Sequence, residues 1–314
     1  MDTPENGHPR RIAMPSPEAQ SLIDLFRNEL KHSDVFTGEL AHARKVWDGY
    51  AETTPAYSPD VKIEVVEDSG VLGEWVTHPA SAQGQVVLHF HGGGYVIGHP
   101  GTYRNFNGRI AEGAQARVFS VDYRLAPEHP FPAARDDCLG AYEWIFGQGI
   151  PASDVAFIGE SAGGGLVLAT LLAARDKGLP LPSCAVAMSP WVDLTNSGES
   201  QKYNREPDAM IPPGLLETWG ELYLAGADPA DPGASPLFGD VAGLPPMFLL
   251  VGSTEVLLDD ARRLFMELSS AGVATSIDVA PEMPHNWPLF AYAIPEGEAS
   301  VERIGAFLRH HLAG

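Results

Sequence analysis

Residues 155–165 read VAFIGESAGGG, an apolar run followed by the pattern G-x-S-x-G, in which Ser161 is the central residue. Residues 155–159 predict a buried strand, and the apolar spacing of residues 162–177 predicts a helix. Because glycines flank Ser161 at positions 159 and 163, the chain can turn sharply there and expose the serine hydroxyl above the end of a sheet. Taken alone, this short pattern also fits an ordinary glycine-rich turn between a strand and a helix.

Short apolar runs alternate with helical patterns on both sides of this turn. Further strands are predicted over residues 86–91, 117–122, 184–189 and 247–252, and further helices over residues 103–114, 133–146, 257–271 and 296–312. Such alternation indicates parallel strands joined by helices that cover both faces of a sheet. A turn signal at residues 68–70 predicts an antiparallel hairpin of residues 61–67 and 71–78, and residues 275–280 predict a strand near the far edge. We therefore predict an α/β fold with a mostly parallel, eight-stranded sheet.

Two stretches interrupt this alternation. Amphipathic helices are predicted over residues 17–31 and 38–51, before the first strand, and residues 198–226 separate two strands and include a helix near 213–224. Helices outside the strand–helix rhythm most simply form a cap over one end of the sheet. The predicted organisation is N-terminal cap helices in residues 1–55, core in 56–197, a second cap segment in 198–227 and the rest of the core in 228–314.

The composition excludes several classes of protein. The 314 residues include 41 Asp and Glu against 20 Lys and Arg, a net charge of −21, which argues against binding nucleic acid or an anionic membrane surface. The chain has two cysteines, too few for a disulfide framework or a structural zinc site, so we expect no metal. The polar, proline-rich N-terminus lacks the apolar core of a signal peptide, and the longest apolar stretch, residues 166–174, is too short to span a bilayer. We expect a cytoplasmic protein.

A second motif strengthens the interpretation of Ser161 as a nucleophile. His91 is followed by Gly92, Gly93 and Gly94 at the end of another predicted strand. Consecutive glycines are conformationally unfavourable in an ordinary turn, but they let main-chain N–H groups approach a ligand closely. The N–H groups of Gly92 and Gly93, with that of Ala162, are therefore candidates for an oxyanion hole. A flexible loop is an alternative; a phosphate-binding loop is disfavoured because no basic residue follows.

A serine nucleophile needs a histidine base and a carboxylate to orient it. His285 follows the last predicted strand, where such a base belongs if the order is serine, acid, histidine. The acid should follow the strand of residues 247–252, and Glu255 lies at that strand-to-helix junction. Asp260 is the next candidate and Asp259 the third; a carboxylate in the first turn of a helix also simply stabilises the helix dipole.

Six motifs together resemble the hormone-sensitive lipase family of α/β-hydrolases, whose bacterial members are carboxylesterases. They are HGGG at 91–94, DYRLAPEHPFPAA at 122–134, GESAGG at 159–164, SPWVDLT at 189–195, GSTEVLLDD at 252–260 and MPH at 283–285. The resemblance implies an α/β-hydrolase fold, Ser161 as nucleophile and His285 as base. It also implies the oxyanion hole described above and no metal or organic cofactor.

Two residues depart from the family pattern. Glu160 stands where the family usually has Asp, and we expect little effect because this side chain is outside the triad. Glu255 stands where the acid is usually Asp, and the same GSxEVLLDD form is found in a subgroup similar to monoterpene ε-lactone hydrolases. A lactone is therefore a further candidate substrate.

The expected reaction is hydrolysis of a short- to medium-chain carboxylic ester through an acyl-enzyme on Ser161. One alternative is amide or N-acetyl hydrolysis by the same residues. Another is a non-catalytic ligand-binding protein on this fold, against which the presence of His285 argues. A second copy of the chain could pair through strand 275–280 to form a homodimer.

Aromatic and other large side chains near the motifs are the candidates for the walls of the substrate pocket, although each of them also fits an aromatic core position. They are Tyr95, Trp191, Met210, Trp219, Trp287 and Phe290.

Overall fold

The computed structural model describes residues 14–312, and the predictions for residues 1–13 and 313–314 lie outside the described residues. The strands are β1 (Lys62–Asp68), β2 (Val71–Thr77), β3 (Ala82–Phe90), β4 (Ala116–Val121), β5 (Val155–Glu160), β6 (Cys184–Met188), β7 (Met247–Gly252) and β8 (Thr275–Ala280). The helices are α1 (Pro17–Asn28), α2 (Asp34–Thr37), α3 (Leu40–Thr53), α4 (Arg104–Ala114), α5 (Ala133–Gly147), α6 (Ala162–Asp176), α7 (Ser200–Tyr203), α8 (Leu215–Leu224), α9 (Leu258–Ser270) and α10 (Pro295–Leu312).

The eight strands form one sheet in the order β1-β2-β4-β3-β5-β6-β7-β8. β1, β2 and β4 pair antiparallel, and the pairs from β4 to β8 are parallel. The predicted fold class, the N-terminal hairpin and the edge position of residues 275–280 are confirmed. Pairing of two copies through β8 stays a prediction.

Local sequence explains where the first helices begin and end. The Ser16 side chain accepts the N–H of Ala19 and Pro17 occupies the first turn, so α1 begins at an N-cap. α1 ends at Asn28 and a separate 3₁₀ turn covers Leu30–His32, where a single helix over residues 17–31 was expected. Within residues 14–312, no helix combines the length and the apolar character needed to cross a membrane.

Arg44 connects α3 to the core through hydrogen bonds. Its guanidinium makes two 2.7 Å contacts with the Glu128 carboxylate and donates to the carbonyls of Val96 and Ala126. Fork-like pairing of this kind fixes orientation as well as distance. α3 is therefore held against the loop that follows the glycine motif.

The start of α6 lies unusually close to β3. A Cβ atom placed on Gly163 would lie 1.9 Å from the carbonyl oxygen of Phe90, and one on Gly159 would lie 2.4 Å from the carbonyl oxygen of Gly163. Both neighbours are backbone atoms that cannot move away as a side chain would. This close packing brings the turn at Ser161 next to the loop that begins at His91.

Substitution of Gly163 by Ala tests this packing. We expect Gly163→Ala to lower the free energy of unfolding by about 3 kcal/mol or more, because the new methyl group overlaps a backbone carbonyl. Gly140→Ala is the control: position 140 lies inside α5 with nothing within 4 Å of the added Cβ. This control should raise stability by roughly 0.5–1 kcal/mol. Urea unfolding followed by circular dichroism measures the free energy of unfolding of both variants. A Gly163→Ala variant as stable as the Gly140→Ala variant would contradict the proposed overlap.

Candidate active site

Ser161 occupies a strained turn between β5 and α6. Its backbone has φ 57° and ψ −121°, a conformation that non-glycine residues rarely adopt and that costs on the order of 1–3 kcal/mol. The turn is held by hydrogen bonds from the Ser161 N–H to the Met188 carbonyl and from the Trp191 N–H to the Ser161 carbonyl. The residue is 8% exposed and lines the main cavity of the protein.

The Glu255 carboxylate orients His285. Its Oε2 atom lies 2.7 Å from Nδ1 of His285, and its Oε1 atom accepts the hydroxyl of Ser189 at 2.7 Å and the N–H of Gly252 at 2.5 Å. Glu255 is fully buried, and His285 lines the same cavity as Ser161. A carboxylate with this many donors holds its partner in one orientation and favours a proton on Nδ1, which leaves Nε2 as the free base.

The two alternative acids have other partners. Asp260 accepts the N–H groups of Val192 and Asp193, both at 3.0 Å. Asp259 accepts the N–H of Ser200 at 2.9 Å, at the start of α7. Of the three carboxylates, Glu255 is the one that contacts His285.

Asp208 joins the loop of Glu255 to the segment 198–227, which is predicted to be part of a cap. Its Oδ2 atom accepts the N–H of Val256, the residue after Glu255, and its Oδ1 atom accepts the N–H groups of Met210 and Ile211. Burial raises the pKa of the Asp208 carboxyl. The backbone carbonyl of Asp208 also accepts the ammonium of Lys31 at 2.6 Å, so the N-terminal helices are tied to the same point.

The structure corrects one of the three predicted oxyanion-hole donors. The N–H of Gly92 donates to Oε1 of Glu160 at 2.5 Å, so the prediction that it faces the substrate is wrong. The N–H groups of Gly93 and Ala162 have no acceptor among residues 14–312, and the same holds for Gly94, which the sequence analysis did not select. Gly93 and Gly94 line the cavity beside Ser161.

Glu160 has a larger role than the sequence suggested. Besides accepting the Gly92 N–H, its carboxylate lies 3.0 Å from Nε2 of His89, whose Nδ1 lies 2.9 Å from the hydroxyl of Ser120. All of these side chains are fully buried. The expectation that Glu160 matters little rested on its place outside the triad. The signal that could have revealed its role is the parallel pairing of β3 with β5, which brings position 160 next to the glycine loop.

The cavity has a volume of about 520 Å³ and a mostly apolar wall. Of the residues predicted for it, Met210, Trp219 and Phe290 line it. Phe26, Phe36 and Trp47, one from each of the three N-terminal helices, are among the other aromatic residues of the wall. Among residues 14–312, no group of three or more His, Cys, Asp or Glu side chains is arranged to hold a metal ion.

Three other residues predicted for the pocket wall lie in the core instead. Tyr95 stacks on Tyr223 with ring centroids 3.8 Å apart, and Trp191 packs against Tyr95. Trp287 donates its indole N–H to the hydroxyl of Ser300. Each of the three is at most 1% exposed, because its element turns the side chain away from the cavity and into the interior.

Comparison with known proteins gives consistent results. A family model described as an alpha/beta hydrolase fold matches residues 87–289. The chain is 42% identical to an acetyl-hydrolase of Streptomyces hygroscopicus over 246 residues, 78% of this chain and 82% of that protein. The crystal structure of an esterase from the bacterial hormone-sensitive lipase family has a TM-score of 0.91 and 40% identity, and covers 96% of this chain and 100% of that one. The structure of EstE5 soaked with p-nitrophenyl butyrate has a TM-score of 0.89 and 40% identity, and covers 95% and 100%.

The pH dependence of protein stability tests how burial affects the Asp260 carboxyl. Burial, and then the negative charge of Asp193, raise its pKa from 3.8 to about 8. The folded protein therefore keeps a proton that the unfolded chain releases, so the contribution of this group to stability falls as the pH rises from about 4 to about 8. We expect Asp260→Asn, which mimics the protonated form, to gain stability relative to the parent protein over that range.

Urea midpoints at pH 5, 6.5 and 8 measure this gain. Glu267→Gln, an exposed position on the same helix, is the control and should show no such trend. A stability difference between Asp260→Asn and the parent that does not change with pH would contradict the interpretation.

Proposed function

The chain belongs to the alpha/beta hydrolase fold family, in its hormone-sensitive lipase-like group, and is a carboxylic ester hydrolase; from this premise we propose that it cleaves its ester through an acyl-enzyme on Ser161. One observation carries the proposal. Ser161 and His285 line the same cavity, and the Nδ1 atom of His285 lies 2.7 Å from the buried carboxylate of Glu255. A hydroxyl, an imidazole and a carboxylate in this arrangement are the parts that serine acyl transfer requires.

In the first half of the reaction, Ser161 Oγ attacks the ester carbonyl carbon and Nε2 of His285 takes the hydroxyl proton. The carbonyl oxygen becomes an oxyanion, which the unpaired N–H groups of Gly93, Gly94 and Ala162 stabilise. Each donor of this kind contributes roughly 3 kcal/mol to the transition state. The carbon–oxygen bond to the alcohol then breaks, and the imidazolium gives its proton to the leaving oxygen.

In the second half, water attacks the acyl-enzyme. Nε2 of His285 takes one proton from the water, the oxyanion forms again in the same hole, and the acid product leaves as Oγ of Ser161 regains a proton. Glu255 stays ionised throughout and stabilises the imidazolium. Glu160 takes no part in the proton transfers. It holds the glycine loop in place by accepting the N–H of Gly92.

The N-terminal helices and the second cap segment support a cap over this site. Phe26 and Phe36 come from the first, Met210 and Trp219 from the second, and all four line the cavity above Ser161. We propose that residues 17–53 and 198–227 form this cap and that the remaining residues form the hydrolase core. An apolar cavity of about 520 Å³ favours short to medium acyl chains over long ones.

We propose that the scissile bond is that of a carboxylic ester. The acetyl-hydrolase and esterase relatives support an ester with a small acyl group. A lactone presents the same carbonyl, with a leaving oxygen that stays tethered to the acyl chain, and is proposed as a further substrate. Hydrolysis of an amide or N-acetyl group needs the same residues with a poorer leaving group.

Removal of the nucleophile tests the mechanism. We expect Ser161→Ala to lose hydrolysis of p-nitrophenyl esters by a factor of about 10⁴ or more, because the variant lacks the hydroxyl that the proposed mechanism acylates. The circular dichroism spectrum and the unfolding midpoint should stay close to those of the parent. Ser269→Ala, on the exposed face of α9, is the matched control and should keep full activity.

Retained turnover in Ser161→Ala would exclude this nucleophile. In the parent protein, p-nitrophenyl acetate and p-nitroacetanilide differ in the atom that joins the acetyl group to the ring. Faster turnover of the anilide would identify an amidase instead.

Substitution of Trp219 tests the predicted range of acyl-chain lengths. Its ring lies directly over the oxyanion loop, since a Cβ on Gly94 would be 2.2 Å from Cε3 of Trp219. We expect the parent protein to reach its highest kcat/KM for acyl chains of roughly two to eight carbons, and Trp219→Ala to shift this optimum to longer chains. A series of p-nitrophenyl esters measures both profiles.

Leu25→Ala is the control for this shift, because Leu25 lines the same cavity but is 47% exposed at its rim. Its profile should match that of the parent. An optimum among long acyl chains in the parent, or an unchanged optimum in Trp219→Ala, would contradict the proposed acyl site.

A further inference from the structure

Asn286, the residue after the proposed base, has its side chain on the nitrogen that the reaction uses. Its Nδ2 atom lies 3.1 Å from Nε2 of His285, it is 5% exposed, and it lines the cavity. No motif used in the sequence analysis includes this side chain. A side chain hydrogen-bonded to the reacting nitrogen can affect the proton transfer at that nitrogen.

The resting orientation of the amide follows from the hydrogen bonds of the base. Both oxygens of Glu255 act as acceptors, so Nδ1 of His285 carries its proton and Nε2 presents a lone pair. An amide group that contacts a lone pair must direct its NH₂ toward it. Nδ2 of Asn286 therefore donates to Nε2, and Oδ1 points away from the ring.

That orientation leaves an acceptor unused. Oδ1 of Asn286 is buried and has no hydrogen-bond partner among residues 14–312. A buried acceptor without a partner costs on the order of 1–3 kcal/mol. The resting state of this amide is therefore unfavourable in one respect, and a rotation about the Cβ–Cγ bond would bring Oδ1 to the ring.

The backbone of Asn286 is fixed by hydrogen bonds that do not involve its side-chain amide. The N–H donates to the hydroxyl of Ser189, which itself donates to Glu255, and the carbonyl accepts the N–H of Leu289. The φ angle of 57° lies in the left-handed region, where Asn is better tolerated than most residues. Rotation of the amide can therefore occur without movement of the base or the acid.

We propose that Asn286 is a positioning residue whose amide turns with the proton on Nε2 of His285: it donates to the neutral imidazole and accepts from the imidazolium. This inference rests on the proposed function, because during the reaction the imidazolium forms when the base takes a proton from Ser161 or from water. The bond from a charged N–H to Oδ1 is about twice as strong as the neutral one that it replaces. Asn286 therefore stabilises the imidazolium, and with it the transition state, more than it stabilises the resting base.

The charged groups that face His285 come from two neighbouring segments. Glu255 lies on the loop after β7, and the Asp208 carboxylate of the second cap segment acts on the ring at longer range. Both are retained when Asn286 is replaced. A change in pH dependence in such a variant is therefore due to the amide.

Asn286→Leu removes both the donor and the acceptor and keeps water out of the space. We expect the acid limb of the kcat/KM profile to move to lower pH by on the order of half a unit, and kcat to fall about five- to tenfold, with little change in KM. Asn196→Leu is the matched control: Asn196 also has a positive φ, of 52°, but its side chain contacts Trp191. The control should show any cost in stability without the shift in the acid limb.

Two results would overturn the proposal. An acid limb in Asn286→Leu that matches the parent means that the amide only fills space, and a shift to higher pH means that it acts only as a fixed donor. Ser161→Ala separates the two proposals, since it tests the nucleophile regardless of Asn286. If Asn286→Leu does not fold, nuclear magnetic resonance of ¹⁵N-asparagine-labelled parent protein tests the proposal instead. The side-chain amide signals of Asn286 should change as the pH falls through the acid limb. Constant signals would overturn the proposal.

Discussion

The contact between the start of α6 and the end of β3 is the constraint on which the site depends. Gly163 lies so close to the carbonyl of Phe90 that no side chain fits, and this proximity forces the chain through the left-handed turn at Ser161. The strain of the turn is offset by the buried β5 on one side and the long apolar helix α6 on the other. In this turn Ser161 lines the cavity together with Gly93 and Gly94, whose N–H groups have no acceptor among residues 14–312.

A buried polar network connects this turn to the oxyanion loop. Glu160 directly precedes Ser161, and its carboxylate accepts the N–H of Gly92. His89 and Ser120 extend the network across two more strands. A carboxylate in this position is costly to bury unless it is fully hydrogen-bonded, so the network fixes one geometry. The turn at Ser161 and the glycine loop are in this way connected by the same side chain.

The proposed acid and base depend on a second set of contacts, which also includes the proposed cap. Ser189 links Glu255 to the backbone of Asn286, and Asp208 links the acid loop to the second cap segment. Lys31 adds the N-terminal helices through the carbonyl of Asp208. A displacement of residues 198–227 would therefore disturb the loop of Glu255 as well as the cavity wall, so the proposed cap and the proposed triad are structurally coupled.

The sequence by itself determined the sheet, the hairpin and the turn at Ser161, and it selected Glu255 and His285, which the structure places in contact, because each depends on local pattern or on order along the chain. It misassigned Gly92, missed Gly94, and placed Tyr95, Trp191 and Trp287 in the cavity wall. These assignments depend on which way an N–H or a ring points, and on which strand lies alongside. Only the tertiary structure decides that, since pairing of β3 with β5 and the path of each loop bring together groups such as Glu160 and Gly92 that are 68 residues apart.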